Sequence, residues 1–180
     1  IVDVEEAVKP DAPSIWPDCP DNICFVEKRG DCGAVEEGFR NAEHIVRQKL
    51  VINRVTAVAM EPRGCIGDYN AKETRYTLYT GLQNPHPLRY QIAVQVFGIP
   101  ETAVRIIPGD VGGSFGMRGG TYSELVLVLW ASRILGRPIK WRSDRSEGFS
   151  SDTHGRDNVS EVALALDKNG VFLALKVKTF

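Results

Sequence analysis

The chain has 180 residues, of which 43% are hydrophobic and 25% charged, and its formal net charge is −1. These proportions are typical of a globular domain with one sizeable core. A near-neutral chain offers no basic surface for a nucleic acid, and no apolar stretch is long enough to span a membrane. Because a signal-peptide pattern is also missing, we expect a soluble cytoplasmic domain without a nucleic-acid partner.

The first part of the chain is rich in proline. Residues 1–24 contain four prolines among acidic residues, and proline removes a backbone donor while it fixes φ. We therefore expect a linker over 1–24, without a regular helix or a central strand. The remainder, residues 25–180, is expected to form the folded domain.

Apolar spacing predicts the elements that follow. Helical spacing predicts helices, and period-two alternation predicts strands. The predicted helices are 34–44, 88–97 and 121–135, and the predicted strands are 45–51, 65–69, 74–80, 104–107, 159–166 and 171–180. Polar turns at 70–73 and 167–170 indicate two hairpins. The sum is an α+β fold with a mixed, largely antiparallel sheet and two or three packed helices.

The helix predicted over 121–135 carries the clearest boundary signals. Thr121 and Glu124 stand three residues apart, as in a capping box, and Gly136 followed by Pro138 indicates the end. Its residues are apolar nearly all round. We therefore expect this helix to be buried in the core of the domain.

Cysteine and histidine spacing argues against a metal site. The four cysteines, Cys19, Cys24, Cys32 and Cys65, lack C-x-x-C spacing, and the three histidines are scattered. A zinc or iron–sulfur site is therefore not expected, and the cysteines are predicted to be free thiols.

A glycine-rich loop separates the predicted strand 104–107 from the predicted helix 121–135. It reads Val-Gly-Gly-Ser-Phe-Gly-Met-Arg-Gly-Gly over residues 111–120. Glycines permit positive φ and let backbone N–H groups approach a ligand, and a helix N-terminus favours anions. The loop is therefore predicted to bind phosphate, oxo or pyrophosphate groups. The alternative is a turn that only reverses the chain.

Spacing excludes the two familiar nucleotide loops, G-x-x-x-x-G-K-[ST] and G-x-G-x-x-G. Gly116-Met117-Arg118-Gly119 does match the G-x-x-G clamp of a KH-type RNA-binding module. A free-standing phosphate- or RNA-binding module that uses the glycine loop is therefore the alternative function.

The loop and several other segments together resemble one family. Residues 111–118 resemble the G-G-G-F-G-G-K loop of the molybdopterin-binding large subunit of the xanthine dehydrogenase, aldehyde oxidase and carbon monoxide dehydrogenase family. Further motifs of that family recur in the same order: Met60-Glu61-Pro62, Leu82-Gln83-Asn84, Gly136-Arg137-Pro138 and Asp144-Arg145. The resemblance covers roughly residues 25–180 and is strongest to the carbon monoxide dehydrogenase branch.

The resemblance implies oxidative hydroxylation at a molybdenum centre, with CO, an aldehyde or a heterocycle as substrate and water as the oxygen source. Molybdenum would be held by a pterin, in the cytosine dinucleotide form, and not by a protein side chain. Gln83 matches the glutamine whose amide approaches an oxygen ligand of molybdenum. The backbone that matches the loop passing over the metal is that of Gly112, Gly113, Ser114, Phe115 and Gly116. The implied partners are flavin and iron–sulfur subunits.

Some positions depart from the family pattern. Ser114 stands where the family usually has glycine and restricts the backbone, whereas Arg118 replaces lysine and keeps the positive charge. Gly119 occupies the place of a glutamate that anchors purines, so purine substrates are disfavoured. Glu61, in a Met-Glu-Pro turn, is expected to be structural rather than a general base.

Because the family's large subunit is several times longer, we expect residues 25–180 to be the N-terminal portion of its molybdopterin-binding domain. The family's catalytic glutamate lies outside this fragment, which is predicted to be inactive alone and to hold neither molybdenum nor flavin. Loss of the remainder of the large subunit should leave Phe115, Met117 and the strand ending at Phe180 exposed, which favours self-association. Gln83 is expected to face the Phe115 loop.

Overall fold

The computed structural model describes residues 3–180, which divide into two units. The described residues up to Val55 together with Arg156–Phe180 form the first unit, and Thr56–Gly155 forms the second. The α-helices are α1 Val4–Ala7, α2 Cys32–Arg40, α3 Pro85–Tyr90, α4 Ser123–Leu135 and α5 Arg145–Ser151. The strands are β1 His44–Ile52, β2 Gly64–Asn70, β3 Arg75–Thr80, β4 Val104–Ile107, β5 Ile139–Arg142, β6 Asn158–Leu166 and β7 Phe172–Thr179. The predicted α+β class is confirmed.

The first unit contains a three-stranded antiparallel sheet in the order β1-β6-β7. The predicted hairpin between β6 and β7 is present, and its turn is closed by Asp167. The Asp167 carboxylate accepts the backbone N–H groups of Asn169 and Val171, at 2.7 and 2.9 Å. Gly170 provides the positive φ, +81°, that the turn requires.

Helix α2 packs against β7. The Asp31 carboxylate caps it by accepting the N–H of Ala34 at 3.0 Å, and a Cβ added at Gly38 would stand 2.7 Å from the Cβ of Ala174. The predicted extension of this helix to residue 44 is wrong. The helix ends at Arg40 because the Glu43 N–H donates to the Leu166 carbonyl at 3.0 Å and so leads the chain into β1.

The proline-rich segment contains one helical turn, α1, where we expected no regular helix. The Asp3 carboxylate supplies the missing signal, since it accepts the N–H groups of Glu5 and Glu6 at 2.8 and 3.0 Å. The side-chain amide of Asn22 further ties the segment together by donating to the carbonyls of Ala7 and Pro13. The linker assignment of 1–24 stays a prediction, and its first two residues lie outside the described part.

The second unit is built on a four-stranded sheet in the order β4-β3-β2-β5. Strand β3 pairs antiparallel with β2 and parallel with β4. The predicted hairpin is present, with the Asn70 side chain accepting the N–H groups of Lys72 and Glu73. The alternating positions Tyr76 and Leu78 of β3 point into the core.

Helix α4 covers this sheet with only one face. Leu125, Val128, Leu129 and Ser132 are buried, at the i, i+3, i+4 and i+7 spacing of a single helix face. The rest of the helix surface is exposed to solvent. Its apolar side chains are each more than half exposed, and they are Leu127, Trp130, Ile134 and Leu135. Burial of the whole helix was therefore a wrong prediction within this unit, because a single sheet can cover one helix face only.

The helix predicted over 88–97 begins earlier and changes its winding. Helix α3 starts at Pro85, a favourable first-turn position for proline. The chain then continues as a π-helix over Gln91–Val96, where the Phe97 N–H reaches back to the Ile92 carbonyl at 3.0 Å. Apolar spacing does not distinguish this wider turn from an α-helix.

Two further elements were not predicted. Strand β5 has four residues, whose Ile-Lys-Trp-Arg sequence alternates apolar and charged side chains, and it pairs with β2. Helix α5 has seven residues and is capped by Asp144, whose carboxylate accepts the Glu147 N–H at 2.7 Å. In the described chain no helix is long and apolar enough to cross a membrane.

The four cysteines are free, as predicted. Cys65 lies on β2 and is 4% exposed. Burial, and after it the negative charge of Glu124, raises the pKa of the Cys65 thiol to about 12. A thiol with so high a pKa holds almost no reactive thiolate at neutral pH.

We therefore expect the exposed thiols of Cys24 and Cys32 to react with Ellman's reagent at pH 8 in the native protein, while Cys65 stays unmodified. Peptide mass spectrometry of the treated protein assigns each site. In urea, Cys65 should react at the rate of the other two. The Cys65→Ala variant should lose only this urea-dependent reaction. Native-state modification of Cys65 at the rate of Cys32 would contradict the assignment.

Candidate functional site

The glycine-rich loop connects β4 to α4 in the second unit. Three of the four residues at its tip have a positive φ, which is +108° at Gly113, +53° at Phe115 and +94° at Gly116. Positive φ at a bulky residue costs about 1–2 kcal/mol. Phe115 holds this conformation although its side chain is 78% exposed. Such strain is concentrated at ligand sites.

Exposure of Phe115 agrees with the sequence prediction, but exposure of Met117 was wrong. Met117 is 2% exposed. The chain folds back beneath the tip as a 3₁₀ turn over Met117–Gly119, because the Met117 N–H donates to the Ser114 carbonyl at 3.0 Å. Phe180 is half-buried, and the exposed apolar residues of its hairpin are Val171 in the turn and Phe172, Leu173, Leu175 and Val177 on β7.

Ser114 uses its side chain to hold the turn. Its hydroxyl oxygen accepts the Arg118 N–H at 3.2 Å, a bond that glycine at this position would not make. The Ser114 hydroxyl therefore stabilises the turn by a side-chain hydrogen bond, and the loop forms without a third glycine at this position.

The tip of the loop presents unpaired donors and open space. Across the part of the chain that the structure describes, the backbone N–H groups of residues 113–116 have no protein acceptor. A Cβ added at Gly116 or Gly120 would meet nothing within 4 Å. Successive free N–H groups in a glycine loop are a geometry that binds anionic and other acceptor-rich groups.

Gln83 lies beside this loop, as expected. Its backbone N–H donates to the Arg118 carbonyl at 3.3 Å, and its side-chain Oε1 would be 3.8 Å from a Cβ at Gly119. The Gln83 side chain is exposed and makes no hydrogen bond to any described residue. A free neutral amide therefore stands at the edge of the donor-rich loop.

Arg118 links three segments of the site. Its guanidinium is 3% exposed; Nη2 donates to the Glu61 carbonyl at 2.6 Å and lies 2.9 Å from the Glu61 carboxylate. Its Nη1 donates to the Gly81 carbonyl at 3.4 Å. The same Glu61 carboxylate accepts the Gly112 N–H at 3.0 Å. Glu61 therefore braces the loop, which agrees with the structural role expected for it.

A second buried arginine lies under the start of α4. Arg63 is 6% exposed and donates to Asp152, Glu124 and Ser151, at 2.5, 3.1 and 2.9 Å. Its guanidinium carbon is 3.7 Å from the centroid of the Tyr122 ring. Burial works against the charged form, but the two carboxylates outweigh it and raise the pKa of Arg63 above its usual value.

The Arg63 cluster explains why the predicted capping box does not form. Glu124 is engaged by Arg63, and the residue at the helix N-cap is Tyr122. The Thr121 hydroxyl instead donates to the side-chain oxygen of Gln91 on the π-helix. The Tyr122 hydroxyl donates to the Met117 carbonyl at 2.8 Å, which fixes the far end of the loop.

Neither arginine cluster was predicted from the sequence. The signal available for Arg118 was its place in the loop motif, and Arg63 follows the Met-Glu-Pro segment directly. Among residues 3–180 no group of histidine, cysteine, aspartate and glutamate side chains could hold a metal ion.

The site residues fit a molybdenum–pterin group by their chemistry. Such a group presents oxygen and phosphate acceptors, and the loop tip and the Gln83 amide present unpaired donors in open space. Arg118 is less suited to bind such a group directly, because its charge is engaged by Glu61.

Comparison with known proteins gives the same assignment. The family described as "Molybdopterin cofactor-binding domain" matches residues 15–180. Over 149 residues the chain is 40% identical to the 6-hydroxypseudooxynicotine dehydrogenase complex subunit gamma of Paenarthrobacter nicotinovorans, covering 82% of this chain and 18% of that protein. Over 189 residues it is 34% identical to the carbon monoxide dehydrogenase large chain of Hydrogenophaga pseudoflava, covering 98% of this chain and 23% of that protein.

A solved structure shows the same fold. The chain superposes on reconstituted CO dehydrogenase from Oligotropha carboxidovorans with a TM-score of 0.88 at 30% identity, covering 99% of this chain and 24% of that chain. It therefore spans between 18% and 24% of the length of these relatives. The chain belongs to the molybdopterin cofactor-binding domain family.

Proposed function

We propose that this chain supplies one wall of the molybdenum–pterin site in the large subunit of a molybdenum hydroxylase. The observation that carries the proposal is the exposed Gln83 amide beside a loop whose N–H groups at 113–116 are unpaired. When bound, the molybdenum–pterin group supplies two-electron oxidation with water as the oxygen source. The protein supplies position, hydrogen bonds and a shaped surface.

Gln83 orients the bound group through a hydrogen bond. An amide stays neutral across the physiological pH range, so it donates to an oxygen acceptor without adding a proton equilibrium of its own. Its backbone is held by the Arg118 carbonyl while its side chain remains free. A fixed backbone with a free amide suits a group that must point at one ligand.

The loop tip adds backbone donors and an aromatic surface. The residues whose backbone would face the cofactor are Gly112, Gly113, Ser114, Phe115 and Gly116. Gly112 contributes through the brace with Glu61 rather than through a free N–H, since that N–H is already bonded to the Glu61 carboxylate. Phe115 holds an apolar ring in an exposed position, where it would exclude water from the bound group.

The intact enzyme is proposed to be cytoplasmic and to use the cytosine dinucleotide form of the cofactor. We propose flavin and iron–sulfur subunits as its partners and CO, an aldehyde or an N-heterocycle as its substrate. Two relatives are named for carbon monoxide and for 6-hydroxypseudooxynicotine, which supports this range. Gly119 lacks the carboxylate that would anchor a purine. The free-standing phosphate- or RNA-binding module gains no support, because the family match covers nearly all of the chain.

Removal of the Gln83 amide tests the proposal. In the complete protein that carries this chain, Gln83→Ala should lower kcat about 10- to 100-fold, because an orienting contact to the metal group is lost. Molybdenum content, measured by mass spectrometry, should stay near the wild-type value because the pterin contacts remain. Dye-linked assays with CO, aldehydes and N-heterocycles measure the turnover.

The matched control is Gln95→Ala, which removes an exposed glutamine from the π-helical segment of the same unit. It should retain wild-type kcat and molybdenum content. Equal turnover of Gln83→Ala and wild type, at equal molybdenum content, would refute the assigned role of Gln83.

A further inference from the structure

Arg118 is placed to control Gln83 through the backbone. Its carbonyl accepts the Gln83 N–H at 3.3 Å, and its guanidinium Nη1 donates to the carbonyl of Gly81, two residues earlier. Both ends of Arg118 therefore hold the same short segment. No other described residue is seen to bond to the backbone N–H of Gln83.

The same guanidinium fixes the start of the glycine loop through Glu61. Glu61 and Gly112 exchange two hydrogen bonds: the Glu61 N–H donates to the Gly112 carbonyl at 3.1 Å, and the Gly112 N–H donates to the Glu61 carboxylate at 3.0 Å. Arg118 holds that carboxylate at 2.9 Å. The Arg118 side chain therefore contacts the segments around residues 61 and 81 directly, and it reaches Gly112 through Glu61.

Two glycines are required by this arrangement. A Cβ at Gly81 would stand 2.6 Å from Nη1 of Arg118, and a Cβ at Gly112 would stand 2.5 Å from the Cβ of Glu61. Neither glycine has a positive φ, so backbone conformation does not explain why glycine occupies these two positions. Their lack of a side chain makes room for the arginine and for the glutamate, which shows how closely the cluster is built.

The cluster is not optimised for stability. Nε of Arg118 is buried and has no hydrogen-bond partner among the described residues, and an unpaired buried donor destabilises a fold. An apolar side chain in place of Arg118 would fill the same space without burying an unpaired N–H group. Local rules are broken most often where a site has a functional demand.

We propose that Arg118 is a positioning residue, which fixes the Gln83 segment and the start of the glycine loop in one frame so that the amide and the loop donors face the same bound group. The inference rests on the proposed function of Gln83. Arg118 does not touch the cofactor. It acts through the Gln83 backbone and through Glu61.

The first test uses the complete protein without its cofactor and follows hydrogen–deuterium exchange by mass spectrometry. In Arg118→Met, exchange in peptides covering Gln83 and Gly112 should rise at least about tenfold, because their hydrogen bonds lose support. Peptides from α4 should exchange as in wild type. Gly81→Ala, which displaces the guanidinium but keeps every charge, should give the same local increase. Unchanged exchange at Gln83 in both variants would overturn the proposal.

The second test uses the loaded enzyme. Arg118→Met should lower kcat by about the same factor as Gln83→Ala, roughly 10- to 100-fold, with molybdenum retained. The double variant Arg118→Met/Gln83→Ala should be no slower than the worse single variant, because one residue acts through the other. Arg118→Lys keeps the charge but lacks the planar fork and should recover part of the rate.

The two tests separate the claims. If Gln83→Ala turns over like wild type, the proposed function fails, while the exchange data still decide whether Arg118 positions the segment. If Gln83→Ala is slow and Arg118→Met is fast, or if their effects multiply in the double variant, the positioning role of Arg118 is refuted. Arg105→Met is the matched control, since Arg105 is exposed on β4. It should leave exchange and kcat unchanged.

Discussion

Arg63→Met should lower the free energy of unfolding by about 3–5 kcal/mol, the usual cost of removing one partner from a buried ion cluster. Methionine fills most of the space but leaves Asp152 and Glu124 without their cation. Asp152 keeps only 11% of its side chain in contact with water and Glu124 only 23%, so solvent cannot replace the lost partner. Urea unfolding, followed by circular dichroism, measures the change.

The origin of this loss can be separated from lost packing. In the Arg63→Met background, Glu124→Gln and Asp152→Asn remove the uncompensated charges and should recover part of the stability, because neutral amides cost less to bury. The control Arg137→Met alters an exposed arginine beyond α4 and should change stability by no more than about 0.5 kcal/mol. An Arg63→Met protein as stable as this control would show that the cluster contributes little.

The sequence predicted the hairpins best, because their signals are local. In each hairpin two alternating strands flank a polar turn, and the side chains that close the turns, Asn70 and Asp167, bond to residues within the turn itself. The β4 boundaries were also correct, since proline and glycine follow the strand directly. Where the stabilising contact lies within a few residues, the amino-acid pattern contains it.

Helix boundaries were less predictable because competing partners decide them. Glu124 has the correct spacing for a capping box, but Arg63, distant in sequence, engages its carboxylate. Likewise, the spacing of apolar residues over 88–97 does not reveal that α3 is followed by a π-helix, because that spacing fits both kinds of helix. Local propensity gives an expectation, and tertiary contacts override it.

The candidate site was predictable in part for the same reason. The loop and Gln83 stand in recognisable motifs, and their proximity follows from the order of strand, helix and loop. The arginine clusters depend on contacts such as Arg118 with Glu61 and Arg63 with Asp152, which join segments far apart in the chain. Composition does not predict these clusters, because the sequence does not distinguish a buried arginine from an exposed one.

Gly67→Ala should be the second most damaging single change, at about 3 kcal/mol, the upper end of the usual cost of overpacking. Gly67 lies on β2 where α4 crosses the sheet. A Cβ there would stand 2.6 Å from the carbonyl carbon of Val128 and 2.7 Å from the backbone nitrogen of Leu129. Since these are backbone atoms, no rotamer change can relieve the clash, and strand and helix must separate.

Because the clash in Gly67→Ala is with backbone atoms, urea unfolding of a double variant can distinguish it from a clash with a side chain. Trimming the neighbouring side chain in Gly67→Ala/Val128→Ala should not recover stability, whereas it would if the clash involved the Val128 side chain. The matched control is Gly155→Ala, because an added Cβ there meets nothing within 4 Å and Gly155 lacks a positive φ; it should be neutral or slightly stabilising. A stable Gly67→Ala protein, or rescue by Val128→Ala, would contradict the close approach of α4 to β2.

A hydrogen bond between the same two elements provides a second measurement. The Tyr69 N–H on β2 donates to the Ser132 hydroxyl on α4 at 3.0 Å. Loss of amide protection at Tyr69 in Gly67→Ala should therefore accompany the loss of stability.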